Sequence, residues 1–259
     1  MASNASWAKI FKDYKILMHN FNKSPFYISA DDIKKSCQDF KKVAEKEVRI
    51  LCKQDTRVDR PQVFIENNLF LLPVKNGYYA LVKGEGYIDI PNISSAEQTY
   101  DSKLDFKLET SQIGDSEMQH LDFAYASSLI RTFMNDESLV LTIRGRKYTP
   151  QFTFKVGQQL ISVQSVQTEV DAGFEGRDKI VLIEAKNSST NNTIIRQLFY
   201  PYKQWKLHTE KQVFTLFFEK RGNYYFIWQY GFSNENDYNS IQLIKSARYV
   251  IHGPNNDTR

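Results

Sequence analysis

Asp171 and the triplet Glu184-Ala185-Lys186, with twelve residues between the two carboxylates, are the residues of this chain best suited to chemistry. Two carboxylates and an ammonium are what one divalent cation and one scissile phosphate would need. Hard cations such as Mg2+ bind through one or two carboxylates, keep several waters, and take substrate phosphate oxygens into the shell. A cation held in this way acidifies water, polarises the phosphoryl oxygen and stabilises the leaving oxygen of an in-line displacement. Lys186 would orient or help deprotonate the attacking water, or neutralise charge growing on the phosphate. Spacing alone is a weak signal, because charged residues that end strands commonly form a solvated rim.

The elements around these residues strengthen it. Lys179 to Lys186 predicts a strand, since Ile180, Val181, Leu182 and Ile183 are apolar on both faces, as in a sheet covered on both sides. Alternation puts Glu184 and Lys186 on one face at the end of that buried strand. Charges there are seldom accidental, because burying them unpaired is costly. Val163 to Asp171 predicts the preceding strand, with Glu169 on the face of Asp171, and Ala172-Gly173-Phe174-Glu175-Gly176 the turn between them. Paired as a hairpin, the two strands would bring Asp171 towards Glu184.

With Val170-Asp171, Glu184-Ala185-Lys186 and the following Ile195-Arg196-Gln197-Leu198-Phe199-Tyr200-Pro201-Tyr202, the sequence resembles the PD-(D/E)xK phosphodiesterase superfamily, and specifically type II restriction endonucleases. The resemblance implies Asp171 and Glu184 as metal ligands, Lys186 as the catalytic lysine and Gln197 as a supporting polar residue. It also implies an aromatic near the site, matched by Tyr200. Val170 stands where the family name has proline, which does no chemistry.

The resemblance implies a fold as well, an α+β or α/β core with a mixed central sheet flanked by helices. The residues from 106 to 259 follow a compatible order. Met118, Leu121, Tyr125, Leu129 and Phe133 recur at helical spacing and predict one helix ending near Asn135. Strands are expected at 139–143 and 152–156 before the two metal-site strands. A helix over 193–206 follows, which Pro201 must bend or end. Val213 to Phe218 and Tyr224 to Tyr230 then form a hairpin about Arg221-Gly222-Asn223.

Residues 1–92 read as a separate recognition region. Trp7, Ile10, Phe11, Tyr14, Leu17 and Met18 give one amphipathic helix. Ser29 and Asp32 form a capping-box pattern that opens a second, with Ile33, Cys37, Phe40 and Val43 on its apolar face. Two apolar runs around Asn76-Gly77 predict a β-hairpin. Helices followed by a hairpin fit a winged-helix-like module. The stretch also looks like the amino-terminal region of some restriction endonucleases, which would bring Lys34, Lys35, Arg49, Lys53, Arg57 and Arg60 towards DNA. Solvated helix faces are the plainer reading of each. Residues 93–105, rich in Ser, Asn and Asp, read as a linker.

Composition permits these readings. A chain of 259 residues, 41% hydrophobic and 25% charged, can build one large domain or two small ones. Its net charge of +4 favours nucleic acid only slightly. Cys37 and Cys52 are too few for a metal cluster or disulfide framework and read as reduced core residues of a cytoplasmic protein. No apolar leader or membrane-spanning run is evident, so secretion and membrane insertion are not expected. No phosphate-loop, dinucleotide or zinc pattern occurs, and the histidines show no metal-ligand spacing.

Other residues invite a role beside a plainer one. Glu117 or Asp122 on the first core helix, and Glu169 or Glu175 beside Asp171, are candidates to complete the acidic cluster. Arg144-Gly145-Arg146-Lys147 reads as a basic turn that could grip phosphate, or as a solvated hairpin connection. The sequence thus suggests a Mg2+-dependent prokaryotic restriction endonuclease cutting double-stranded DNA, a homodimer on its target because a palindrome is met most simply by two-fold symmetry. A structure-specific repair or recombination nuclease of the same fold, and a non-catalytic DNA-binding protein, stay open.

Overall fold

The computed structural model describes residues 3–253. The chain opens with α1 (Ser3–Asp13), which buries Trp7, Ile10 and Phe11. After it come β1 (Phe26–Ser29) and α2 (Ala30–Cys37), the latter opened by the Ser29–Asp32 capping box. This helix stops at Cys37, short of Phe40 and Val43, where Phe40 N–H closes back on the Cys37 carbonyl at 3.1 Å. Short helices α3 (Val43–Lys46), α4 (Val48–Leu51) and α5 (Gln62–Glu66) lead to the hairpin of β2 (Leu69–Lys75) and β3 (Tyr78–Lys83). Gly77 turns it with φ +73°, a conformation that costs glycine nothing. The three strands form an antiparallel sheet in the order β1-β3-β2.

Two short strands follow, β4 (Tyr87–Asp89) and β5 (Gln98–Asp101). The second lies within the stretch read as a linker and adds a parallel edge strand to the main sheet. The expected single helix is two, α6 (Glu117–Ala126) and α7 (Leu129–Met134). The Ser127 hydroxyl donates back to the Phe123 and Ala124 carbonyls, and Ser128 takes a left-handed conformation with φ +67°, which breaks the helix.

Then come β6 (Val140–Tyr148), the hairpin of β7 (Phe152–Val156) and β8 (Gln159–Val163), β9 (Gln167–Glu175) and β10 (Lys179–Lys186). The basic run Arg144 to Lys147 therefore lies in a strand rather than a turn, with its register against β9 shifted on either side of Ile143. β9 likewise runs through Ala172 to Glu175, so the turn falls at 176–178. Strand β11 (Asn192–Ile194) pairs with β4, and α8 (Arg196–Lys206) continues through Pro201 instead of ending there. What Pro201 removes is the hydrogen bond that would have reached the Gln197 carbonyl. The chain closes with β12 (Gln212–Arg221), β13 (Tyr224–Phe232) and β14 (Ile241–His252).

The main sheet has the order β5-β14-β13-β12-β10-β9-β6. Neighbours are antiparallel except β10 with β12, which α8 joins as a crossover, and β14 with β5. The result is a mixed α+β architecture, a multi-stranded mixed sheet flanked by helices. On one face Leu121, Leu129 and Phe133 of α6 and α7 cover Val181, Ile183, Leu216 and Ile227. On the other, Leu198, Phe199 and Tyr200 of α8 pack with Phe217, Trp228 and Tyr230. That second cluster also takes in Phe70, Leu72 and Val74 of β2 with Ala80 and Val82 of β3, so the amino-terminal sheet shares a core with the main one. Among the described residues no helix is long and apolar enough to cross a membrane.

Candidate functional site

Strand β10 is buried from Ile180 to Ala185, and Val181, Ile183 and Ala185 face α6 and α7. Ile180 and Leu182 face the opposite side with Val170 and Trp205, and alternation carries Glu184 and Lys186 to that same side. The β9–β10 ladder ends with Ile183 opposite Ala172, so Asp171 and Glu184 come next. There the strands part. Instead of a backbone carbonyl, the Ala185 N–H finds the Asp171 carboxylate, at 2.7 Å. Val170 packs on one face of the sheet while Ala172 and Phe174 pack on the other, so the alternation of β9 slips by one residue at Asp171.

Asp171, Glu184 and Lys186 lie together in an open cleft of about 370 Å³, with Glu169, Arg196, Gln197, Lys53 and Asp55 also on its walls. Lys186 is ion-paired with Glu184. Burial pushes the Glu184 carboxyl up to about 7 against the pull of Lys186, with the charge of Asp171 adding to the rise. Asp171 is also raised by burial, opposed by the Ala185 N–H and by Lys186. Burial alone would lower the Lys186 pKa, but the charges of Glu184, Asp171 and Glu117 outweigh it and hold the ammonium above its ordinary value. Two desolvated carboxylates, one of them reluctant to ionise, are a donor pair that a divalent cation would discharge. This fits a hard cation completed by water and phosphate. Among the described residues no group of three or more His, Cys, Asp and Glu is arranged to hold a metal.

The remaining sequence candidates are scattered by comparison. Gln197 is in the cleft, its side-chain oxygen accepting from Thr193 Oγ1 at 2.6 Å. Tyr200 is not, being buried with its hydroxyl on the Pro73 carbonyl at 3.0 Å. Glu169 stands at the rim, paired with Arg146 at 3.2 Å. Glu117 is outside the cleft lining and accepts the Asn187 N–H at 3.2 Å, near enough for its charge to act on Asp171 and Lys186. Asp122 pairs with Arg144, and Glu175 pairs with Lys211 at the far end of β9. Lys147 sits 5.9 Å from the Trp205 ring.

In the amino-terminal region Lys53 reaches the cleft, its side chain 74% exposed and 3.7 Å from Asp55. Arg57 and Arg60 brace the fold instead. Arg57 pairs with Asp89 and Glu85, and Arg60 lies 5.1 Å over the Tyr87 ring and donates to the Leu69 carbonyl at 3.3 Å.

Three residues of the site escape a reading of the sequence. Asp55 and Arg196 line the cleft side by side, on two neighbouring segments. Glu219, fully buried on β12 opposite Lys186, accepts from Arg221 Nε at 2.6 Å and from the Thr190 N–H at 2.9 Å, tying down the loop that follows Glu184-Ala185-Lys186. Its place at the end of an apolar strand, like that of Glu184, is the signal that could have marked it.

Fold and cleft together define an α+β protein with a carboxylate-bearing polar cleft where two strands of a mixed sheet separate. The chain belongs to the family described as a domain of unknown function (DUF6997), which matches residues 82–250. Residues 4–81 match a second domain of unknown function (DUF6996). No curated protein and no solved structure matches the chain.

Proposed function

We propose that this protein is a Mg2+-dependent endodeoxyribonuclease that hydrolyses phosphodiester bonds of double-stranded DNA at a defined sequence, as a type II restriction enzyme does, and that it works as a homodimer on its target. The observation that carries the reading is the parting of β9 and β10. It delivers Asp171, Glu184 and Lys186 to one cleft, with the Asp171 carboxylate fixed by the Ala185 N–H. The element order supports it. The helix pair α6–α7, the antiparallel strands β6, β9 and β10, the crossover α8 and parallel β12 follow the restriction-endonuclease-like pattern that the sequence resemblance implies. At the other end, helices closed by the β2–β3 hairpin, whose second strand pairs with β1, support a winged-helix-like module.

Mg2+ held by Asp171 and Glu184 would activate water and polarise the scissile phosphate. The chain's own groups do the rest. Lys186, a charged ammonium beside Glu184, orients the attacking water and offsets negative charge developing on the phosphate oxygens. Gln197, held by Thr193, offers its side-chain N–H donors to the same space. The Asp171–Ala185 bond fixes the backbone from which Glu184 and Lys186 project.

Plasmid DNA incubated with the protein in Mg2+ should give discrete fragments whose mapped ends share a sequence, and EDTA should prevent them. Lys186→Ala should lose cleavage by several orders of magnitude while still binding DNA in a gel-shift assay. A Lys186→Ala protein that cuts like the wild type would sink the assignment.

A further inference from the structure

The cleft contains a cation to which the nuclease reading gives no role. Arg196, the first residue of α8, lines it beside Gln197. A guanidinium offers five N–H donors in a planar fork. Among the described residues, the ion-pair partner of this one is the Asp55 carboxylate at 3.8 Å, too distant for a hydrogen bond. Lys186 is engaged by Glu184, whereas Arg196 keeps its donors largely uncommitted within a half-sheltered wall, its side chain 23% exposed. Such a fork matches two oxygens of a phosphodiester.

Asp55 comes from the other family region, and its placement is built. Its backbone carbonyl accepts the Ile194 N–H at 2.8 Å, and two residues on, the Arg57 N–H donates to Asn192 Oδ1 at 2.7 Å. Residues 55–57 therefore run along 192–194 as a splint, and the Asp55 carboxylate lies beside the guanidinium at 3.8 Å.

We propose that Arg196 binds a backbone phosphate of the DNA strand lying in the cleft, and that Asp55 is the positioning residue that holds the guanidinium ready for it. This rests on the nuclease reading. On loading, Arg196 exchanges one distant carboxylate for two close phosphate oxygens, and the active cleft is assembled from both family regions rather than from residues 82–250 alone.

The test uses the full-length chain and a fluorescent duplex of random sequence, with Ca2+ in place of Mg2+. Arg196→Ala should weaken binding about tenfold, as expected for loss of a charge-assisted contact. The slope of log K against log salt should fall by about one, the signature of one lost phosphate contact. In Mg2+ the same variant should raise KM more than it lowers kcat, and Arg196→Lys should restore the salt slope with part of the affinity. Asp55→Asn should weaken binding through the same contact, so that adding it to Arg196→Ala costs nothing further.

Unchanged affinity and slope in Arg196→Ala, with wild-type protein binding and cutting DNA, would overturn this assignment and leave the nuclease reading intact. Additive losses in the double variant would overturn the role of Asp55. A wild-type protein that neither binds nor cuts duplex DNA overturns both readings. If Arg196→Ala melts well below the wild type, Arg196→Lys decides, since wild-type affinity with a lowered slope would contradict a phosphate contact.

Discussion

Glu184 is held in a state that costs the folded protein stability. Its carboxyl ordinarily ionises near 4.5, and burial pushes it up to about 7. Between those values the folded chain keeps a proton that the unfolded chain has lost, so stability falls as pH rises through this window and the cost from Glu184 is complete above it. Metal-free protein should lose roughly 3 kcal/mol from this group between about pH 4.5 and 7, and Glu184→Gln should flatten the profile. Denaturant titrations in EDTA across that range decide the matter, and parallel profiles for the two proteins would show that burial of Glu184 is not the source. Sequence spacing marked Asp171, Glu184 and Lys186 because alternation on a buried strand predicts where charges emerge. It missed Asp55 and Arg196 because their meeting depends on two segments some 140 residues apart lying side by side, which no local pattern encodes.

Strand β10 was legible as an unbroken apolar run, whereas its neighbour β9 was legible only as far as Asp171. Ala172-Gly173 looks like a turn, yet Gly173 is paired with Leu182 on one side and with Ile143 on the other. A Cβ there would lie 2.6 Å from the Cβ of Ile143, so the glycine is demanded by close packing of β6 on β9. Gly173→Ala should cost about 1–3 kcal/mol by overpacking, read as a lower urea midpoint with an unchanged slope. The same conflict of local and tertiary signals explains the helix pair. Leu129 and Phe133 continue the spacing of Leu121 and Tyr125, and only the Ser127 hydroxyl reveals the break. Strand β14 escaped notice because Gln242, Leu243, Ile244 and Lys245 are all exposed, which erases alternation where the strand begins.

At the scale of the molecule, the two matched family regions meet between residues 81 and 82, inside β3. A boundary that cuts a strand cannot separate two independent bodies. Phe70 on β2 is fully buried in the cluster that includes Phe154, Phe199 and Trp228 of the later region. Phe70→Ala should therefore destabilise the whole chain by about 3–5 kcal/mol, lowering one cooperative transition seen alike by circular dichroism and tryptophan fluorescence. Two separate transitions would contradict a shared core. Apolar composition announced that these residues are buried without saying against what, so a separate recognition region was the natural reading of the sequence. One further consequence concerns the outer margin of the main sheet. Among the described residues strand β6 ends the sheet and pairs with β9 alone, and its exposed Arg144, Arg146 and Lys147 flank a backbone irregularity at Gly145. Charge and irregularity on such a margin keep it from zipping onto the margin of another molecule. These residues would thus govern how concentrated the protein can become before it self-associates, whether or not DNA is ever present.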